Sequence, residues 1–441
     1  MNNTKHTEQF IIGLDIGTSA LKGVLTDRCG KVLAEASAAT HLLYPQEGWV
    51  EFDAEEHYRN VCQILRKLAT AASGEVTALA MAAASGNTLL SATNGAPLGR
   101  VISWMDQRSV QDPSTLLKGF AEAEVRQITG WPCVTSFPLS HLAWLYENKL
   151  QLYKSAAHIG MDTDWLLYRL TSEWKMDHST ATTFHLQEQM SGIYHKPYLK
   201  QLEIEQEKLS TLVRSGMAIG PLTRRAAVDT GLSEQTMVVS GCFDHPAAAR
   251  ATGVLEPGQL LLSCGTSWVG FVPMQERQAV LDAGLLCDPF LKDGQGVWGG
   301  MFSVPQIGQK IDWYVEHLIA PGEKVSERMR AFDSLAAQAE PGASGLEIDL
   351  RAPVQKIDGD RANISRAVME GAARLLNEKI LKLAERGFRY SHAVMVGGPS
   401  RSPVWPGIVA GITGIDVTAG DRSAGARGAA MLAAEGVGLA D

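Results

Sequence analysis

Residues Phe10 to Leu14 are apolar, Ser19 to Leu25 are again mostly apolar, and a short Gly17-Thr18-Ser19 turn stands between the runs. A second turn, Asp27-Arg28-Cys29-Gly30, precedes a third extended run, Lys31 to Ala36, so the opening predicts a three-strand meander. The period then changes. Tyr58, Val61, Cys62, Leu65 and Leu68 fall on one helical face, preceded by Asp53 and Glu56 in capping-box spacing. Further on, apolar Met237 to Val239 runs into Ser240-Gly241-Cys242-Phe243-Asp244, and Pro246 then opens an Ala-rich stretch suited to a helix whose first turn tolerates proline. Leu260 to Pro273 repeats the opening layout of strand, Gly265-Thr266-Ser267, strand. Arg361 to Phe388 has Ile364, Val368, Leu375, Leu376, Ile380 and Leu383 near helical spacing, and Ala393 to Val396 reads as a buried strand running into Gly397-Gly398. The run "RRAAVDTGLSEQT" is expected to be a solvated loop and short helix.

The recurrence of one hairpin layout at long separation predicts two related domains, with a boundary where Gly and Pro cluster between Thr252 and Pro257: 1–252 and 253–441. Composition agrees with more than one core. The chain has 441 residues, 45% hydrophobic and 20% charged. A net charge of -8 disfavours nucleic acid or an anionic membrane as the main partner and leaves a small molecule. The six cysteines form no Cys-x-x-Cys pair, which is consistent with a reducing compartment, and buried structural roles are expected for Cys242 and Cys264. The polar opening "MNNTKHTEQF" has no signal-peptide core, and no run reaches the length of a membrane span, so a cytoplasmic protein is expected.

The first turn is not a Walker loop, because Leu21-Lys22-Gly23 falls in a strand-like segment rather than opening a helix. A Gly-Thr-Ser turn between strands can aim backbone N–H groups and two hydroxyls at phosphate oxygens, with strand-end Asp15 holding hydrated Mg²⁺. The alternative is a plain hairpin with a buried strand-end carboxylate. Asp244 is predicted at a strand-to-helix junction, where a carboxylate is either an N-cap or a general base for a hydroxyl attacking a phosphoryl group.

Taken together, the segments resemble the FGGY carbohydrate kinases over nearly the whole chain. "GLDIGTSALKGVLTD" looks like the first phosphate hairpin of that family, and "SCGTSW" like the second. "PQEGWVEFDAEEHY" resembles the segment before its first helix, and "PLGRVISWMDQRS" carries its Trp-x-Asp-x-Arg at Trp104, Asp106 and Arg108. "SFPLSHLAWLYEN" is similar to a family signature, with His141 where Lys is usual. "GCFDHP" resembles the segment with the catalytic base, and "VMVGGPSRSPVW" the adenosine-binding stretch, with Pro399 in place of a third small residue.

The resemblance implies an α/β fold of two actin-like, ribonuclease H-like domains with a ligand cleft between them, and an ATP-dependent kinase acting on a small sugar, ketose or polyol. It implies Asp244 as the base and Asp15 as the Mg²⁺ residue. Gly17, Thr18 and Ser19 would meet phosphates from one side, and Gly265 and Thr266 from the other. Gly308, Gly397, Gly398 and Ser402 would serve the nucleotide. Ser85, Asn87, Trp104 and His245 are the sugar-wall candidates; for Trp104 a place in the core, and for His245 a helix-capping role, stand as alternatives. Glycerol is disfavoured, because the glycerol kinases have an Arg-Glu pair where this chain has Ser85 and Gly86. The stretch before Arg366 is shorter than in many relatives. A homodimer is the family-level expectation. A catalytically weak sugar-binding regulator, or an actin-like ATPase of another function, is the alternative.

Overall fold

The computed structural model describes residues 8–265, 267–291 and 296–439. They form two compact units. The first runs up to Ala251 and includes Leu286–Trp298 and the chain from Ser423 on; the second comprises Thr252–Leu285 and Gly299–Arg422.

The first unit is built on a six-stranded sheet in the order Ala218–Pro221, Met237–Phe243, Glu75–Ala83, Gln9–Ile16, Ala20–Thr26, Val32–Ala39. The opening meander is antiparallel, with Ile16 opposite Leu21. Gln9–Ile16, Glu75–Ala83 and Met237–Phe243 run parallel, with Ile16 opposite Ala83 and Ala83 opposite Phe243. Three strand ends therefore lie side by side, and the residues that follow them emerge at one edge. In open α/β sheets this carboxyl edge is where ligands bind.

Alternation along Gln9–Ile16 decides the packing. Phe10, Ile12 and Leu14 face one core, with Tyr58, Val61, Leu65 and Leu68 of the helix Ala54–Ala71. Ile11 faces the other, with Val239, Ala247 and the small residues Ala426, Ala429, Ala430 and Ala433 of the helix Ala424–Gly436. Asp53 caps the first of these helices by accepting from Glu56 N at 2.7 Å. Glu56 does not return the bond to close a capping box; its carboxylate pairs with His41 Nδ1 at 2.5 Å. A third core, containing Leu142, Trp144, Tyr153, Phe184 and Tyr198, belongs to the helical segments between the sheet strands.

In the second unit, Leu260–Cys264 pairs antiparallel with Trp268–Met274 and parallel with His392–Gly397, which pairs parallel with Asp416–Ala419. Cys264 stands opposite Gly397. The approach is so close that a Cβ on Gly397, whose φ is +98°, would lie 2.2 Å from Cys264 O. The long helix expected over 361–388 is Arg361–Glu385, capped by Asp360, and "RRAAVDTGLSEQT" supplies the short helix Arg224–Thr230. Among the described residues no helix is long and apolar enough to cross a membrane.

Candidate active site

At the carboxyl edge of the first sheet, half-buried Asp15 precedes the Gly17-Thr18-Ser19 turn. A Cβ at Gly17 would lie 2.7 Å from Ala20 O, so the tight turn excludes a larger residue. Thr40 holds the turn from outside: its N donates to Ser19 O at 3.1 Å and its Oγ1 to Gly17 O at 3.2 Å. Gly425, in the first turn of Ala424–Gly436, lets that helix approach Asp15; a Cβ there would be 2.9 Å from Asp15 Oδ2.

Asp244 is the first residue of the helix Asp244–Ala251, directly after the strand Met237–Phe243. Its side chain is 25% exposed, and its Oδ1 accepts from His245 N at 2.8 Å. Burial pushes its carboxyl above the ordinary carboxylate value, opposed by His245. Burial and then the charge of Asp244 push Asp15 up to about 6, with Lys22 pulling the other way. A carboxylate whose ionisation is made costlier by a second carboxylate sits at an edge that favours a cation. Among the described residues no group of three or more His, Cys, Asp or Glu could hold a metal by itself. Mg²⁺ is ordinarily bound by one or two carboxylates together with substrate phosphates and water.

The sugar-wall candidates divide. Trp104 is half-buried rather than core, and its Nε1 donates to Thr18 Oγ1 at 2.9 Å. Asn87 turns away to Asp162, and its Oδ1 accepts from Trp104 N at 3.0 Å. Buried Ser85 Oγ accepts from Thr183 Oγ1 at 2.8 Å. Next to it, Gly86 has φ +99° and lies under the Phe137 ring. Phe137 belongs to an aromatic group with Trp131 and His185, and Trp131 reaches Phe243, whose ring is 5.2 Å from that of His245. Among the described residues neither ring nitrogen of His185 has a hydrogen-bond partner, and burial lowers its pKa to about 3, so it is neutral. His141 is likewise buried and neutral, pushed down to about 3, with Nδ1 on Thr88 Oγ1 at 2.9 Å.

In the second unit, Gly265 follows the strand Leu260–Cys264 and its N donates to Ser267 O at 3.2 Å. Thr266 lies outside the described residues. Gly397 and Gly398 follow the parallel neighbour of that strand, and Gly308 lies in the first turn of Ile307–Tyr314. Ser402 is engaged within the fold: Oγ donates to Asp333 Oδ1 at 2.6 Å and accepts from Val404 N and Trp405 N at 3.1 and 3.2 Å.

Thr183, His185, His57 and Asp162 were not singled out from the sequence. A histidine one residue before an apolar helical stripe, and an Asp-Thr-Asp between apolar runs at 162–164, were the available signals.

Two family models match, described as the N-terminal domain of the FGGY family of carbohydrate kinases over residues 10–250 and the C-terminal domain over residues 260–436. The chain is similar to a xylulose kinase of Bacillus subtilis, 26% identical over 450 residues, 98% of this chain and 89% of the relative. It is also similar to an autoinducer-2 kinase of Salmonella typhimurium, 25% identical over 474 residues, 98% of this chain and 88% of the relative. Among solved structures, a gluconate kinase from Lactobacillus acidophilus matches with a TM-score of 0.84 at 21% identity, over 98% of this chain and 90% of that one. A ligand-bound xylulose kinase from Lactobacillus acidophilus matches with a TM-score of 0.84 at 22% identity, over the same shares. Both support the two-domain actin-like fold.

Proposed function

Because the chain belongs to the FGGY family of carbohydrate kinases, we propose that Asp244 is the base by which it moves the γ-phosphoryl group of ATP to a hydroxyl of a small sugar, ketose or polyol. The observation that carries the residue assignment is the convergence of Asp15, the Gly17-Thr18-Ser19 turn and Asp244 at one sheet edge, with the charge of Asp244 helping to raise the Asp15 carboxyl.

The acceptor hydroxyl donates to the Asp244 carboxylate as its oxygen attacks the γ-phosphorus. A new P–O bond forms, the bond to the β-phosphate oxygen breaks, and ADP leaves. The proton stays on Asp244 until solvent removes it. The raised pKa of Asp244 makes it a stronger base than an exposed carboxylate, nearer the operating pH. Backbone N–H groups of the first turn and the Thr18 and Ser19 hydroxyls hold phosphate oxygens, and the likeness to the family's second phosphate hairpin gives the turn at Gly265 the same task. Asp15 would be the residue to hold Mg²⁺, which when bound would supply positive charge to offset charge on the transferring group. Gly308, Gly397 and Gly398 line the adenosine side, where a missing side chain lets the ligand reach the backbone.

For the acceptor, the wall offers the Ser85–Thr183 hydroxyl pair, the neutral His185, and His245 beside the base. Hydroxyl-to-hydroxyl contacts and aromatic faces suit an uncharged polyhydroxy chain better than a sugar acid, which lacks a cationic partner at Ser85 and Gly86. ADP release measured with Mg·ATP against D-xylulose, other ketoses, aldoses, polyols, gluconate and autoinducer-2 tests this. Turnover is expected with a neutral sugar. A preference for gluconate would overturn the substrate assignment, and silence across the panel with ATP still bound would favour the regulatory alternative.

A further inference from the structure

Within the first unit, a small cavity beside the Gly17-Thr18-Ser19 turn is lined in part by Thr18, His57, Asn87, Trp104 and Asp162. Two polar atoms there have no hydrogen-bond partner among the described residues, Asp162 Oδ2 and His57 Nε2. They stand 3.9 Å apart, on side chains only 2% and 5% exposed. Burial pushes the Asp162 carboxyl up to about 6 and the His57 imidazole down to about 4. A carboxylate held this way is costly, so its retention calls for a role.

The other oxygen of Asp162 starts a relay. Oδ1 accepts from Asn87 Nδ2 at 2.8 Å, Asn87 Oδ1 accepts from Trp104 N at 3.0 Å, and Trp104 Nε1 donates to Thr18 Oγ1 at 2.9 Å. Each link orients the next. A flipped Asn87 amide would set its oxygen against the carboxylate and its NH₂ against an N–H, so Asp162 fixes which way the amide points. The indole N–H then fills an acceptor site of the Thr18 hydroxyl, which leaves the hydroxyl proton to donate elsewhere. A phosphate oxygen accepts and cannot donate, so this is the orientation a phosphate-binding threonine needs.

We infer that Asp162, whose Oδ2 stands 3.9 Å from His57 Nε2, is a positioning residue that orients Thr18 toward phosphate by way of Asn87 and Trp104. The inference rests on the reading of the first turn as a phosphate hairpin. It extends that reading to two residues outside the motif.

The test is calorimetric titration of the full-length protein with Mg·ATP, without sugar. Asp162→Ala and Thr18→Val are each expected to weaken binding by about 10- to 150-fold, the effect of one lost hydrogen bond to a charged group. The decisive readout is the double variant. If Asp162 acts through Thr18, Asp162→Ala costs nothing further in the Thr18→Val background, whereas a merely structural role gives multiplied losses. Unchanged affinity in Asp162→Ala, or multiplied losses, overturns the inference and leaves the phosphate hairpin intact. Absence of binding by the wild type overturns the hairpin reading and the inference with it. Should circular dichroism find Asp162→Ala unfolded, Asn87→Ser cuts the same relay one link later and decides by the same cycle.

Discussion

Asp15 illustrates how a buried carboxylate opposes the stability of the fold that holds it. Its pKa is raised from the ordinary 3.8 to about 6, so the folded chain binds the proton more tightly than the unfolded chain does. The stability it contributes is complete below about 4 and is lost as pH rises through about 6. Asp15→Asn removes the buried charge. Its melting temperature without ligands is expected to exceed that of the wild type at pH 7.5, with the difference shrinking as pH falls towards 4, while turnover is lost. An Asp15→Asn variant no more stable than the wild type at pH 7.5 would contradict the assigned electrostatics. The places of Asp15 at a strand end and of Asp244 at a strand-to-helix junction were legible because each stands in a short local motif. Asp162 and His57 were not, since their roles depend on partners at Asn87, Trp104 and Thr18 that only the fold assembles. Asn87 shows the same limit: its type suggested a sugar contact, but its amide is engaged by Asp162 and the Trp104 backbone.

Among the elements, the helix Ala424–Gly436 does most to shape the site, and it does so by lacking side chains. A Cβ at Gly13 would lie 1.8 Å from Ala426 O, and one at Gly428 would lie 1.8 Å from Ala247 O. These are backbone contacts that no rotamer change relieves. Gly13→Val is therefore expected to destabilise the first unit by at least about 2 kcal/mol, in the upper range for an overpacked core. Gly99→Ala, with nothing within 4 Å of the new Cβ, should leave stability unchanged. Urea unfolding followed by circular dichroism separates the two, and equal midpoints would refute the packing. Strand and helix periods made the individual elements readable, including the meander, the capped first helix and the strand-to-helix junction at Asp244. The return of residues 423–439 to the first strand was not readable. An Ala- and Gly-rich helix carries little amphipathic signal, and only the tertiary fit of small residues against Gly13 and Ala247 decides where it docks.

For the molecule as a whole, each unit carries a hairpin, a parallel neighbour and a loop leaving the carboxyl edge of its sheet, which is how one hairpin layout came to appear twice in the sequence. The stretch before Arg366 is anchored. Ile348 and Leu350 are buried, and Lys310 Nζ donates to the carbonyls of Leu350, Arg351 and Ala352 at 2.7, 3.0 and 3.0 Å. Gly371 accommodates that segment, since a Cβ there would lie 2.4 Å from Ile348 O. Lys310→Met, which removes the three bonds and keeps the stem, is expected to loosen this segment and to raise its amide hydrogen exchange. Unaltered exchange across 346–360 would mean the lysine is not what holds it.

Asp244 is the residue on which phosphoryl transfer is proposed to turn. The most direct measurement is single-turnover phosphoryl transfer with the sugar that the panel identifies, comparing wild type with Asp244→Asn at saturating Mg·ATP. The variant is expected to be slower by about 10²–10⁴, the range for loss of a positioned base, with its calorimetric affinity for Mg·ATP within about threefold of the wild type. Transfer at the wild-type rate would contradict the account, because the proton of the attacking hydroxyl would then leave without Asp244.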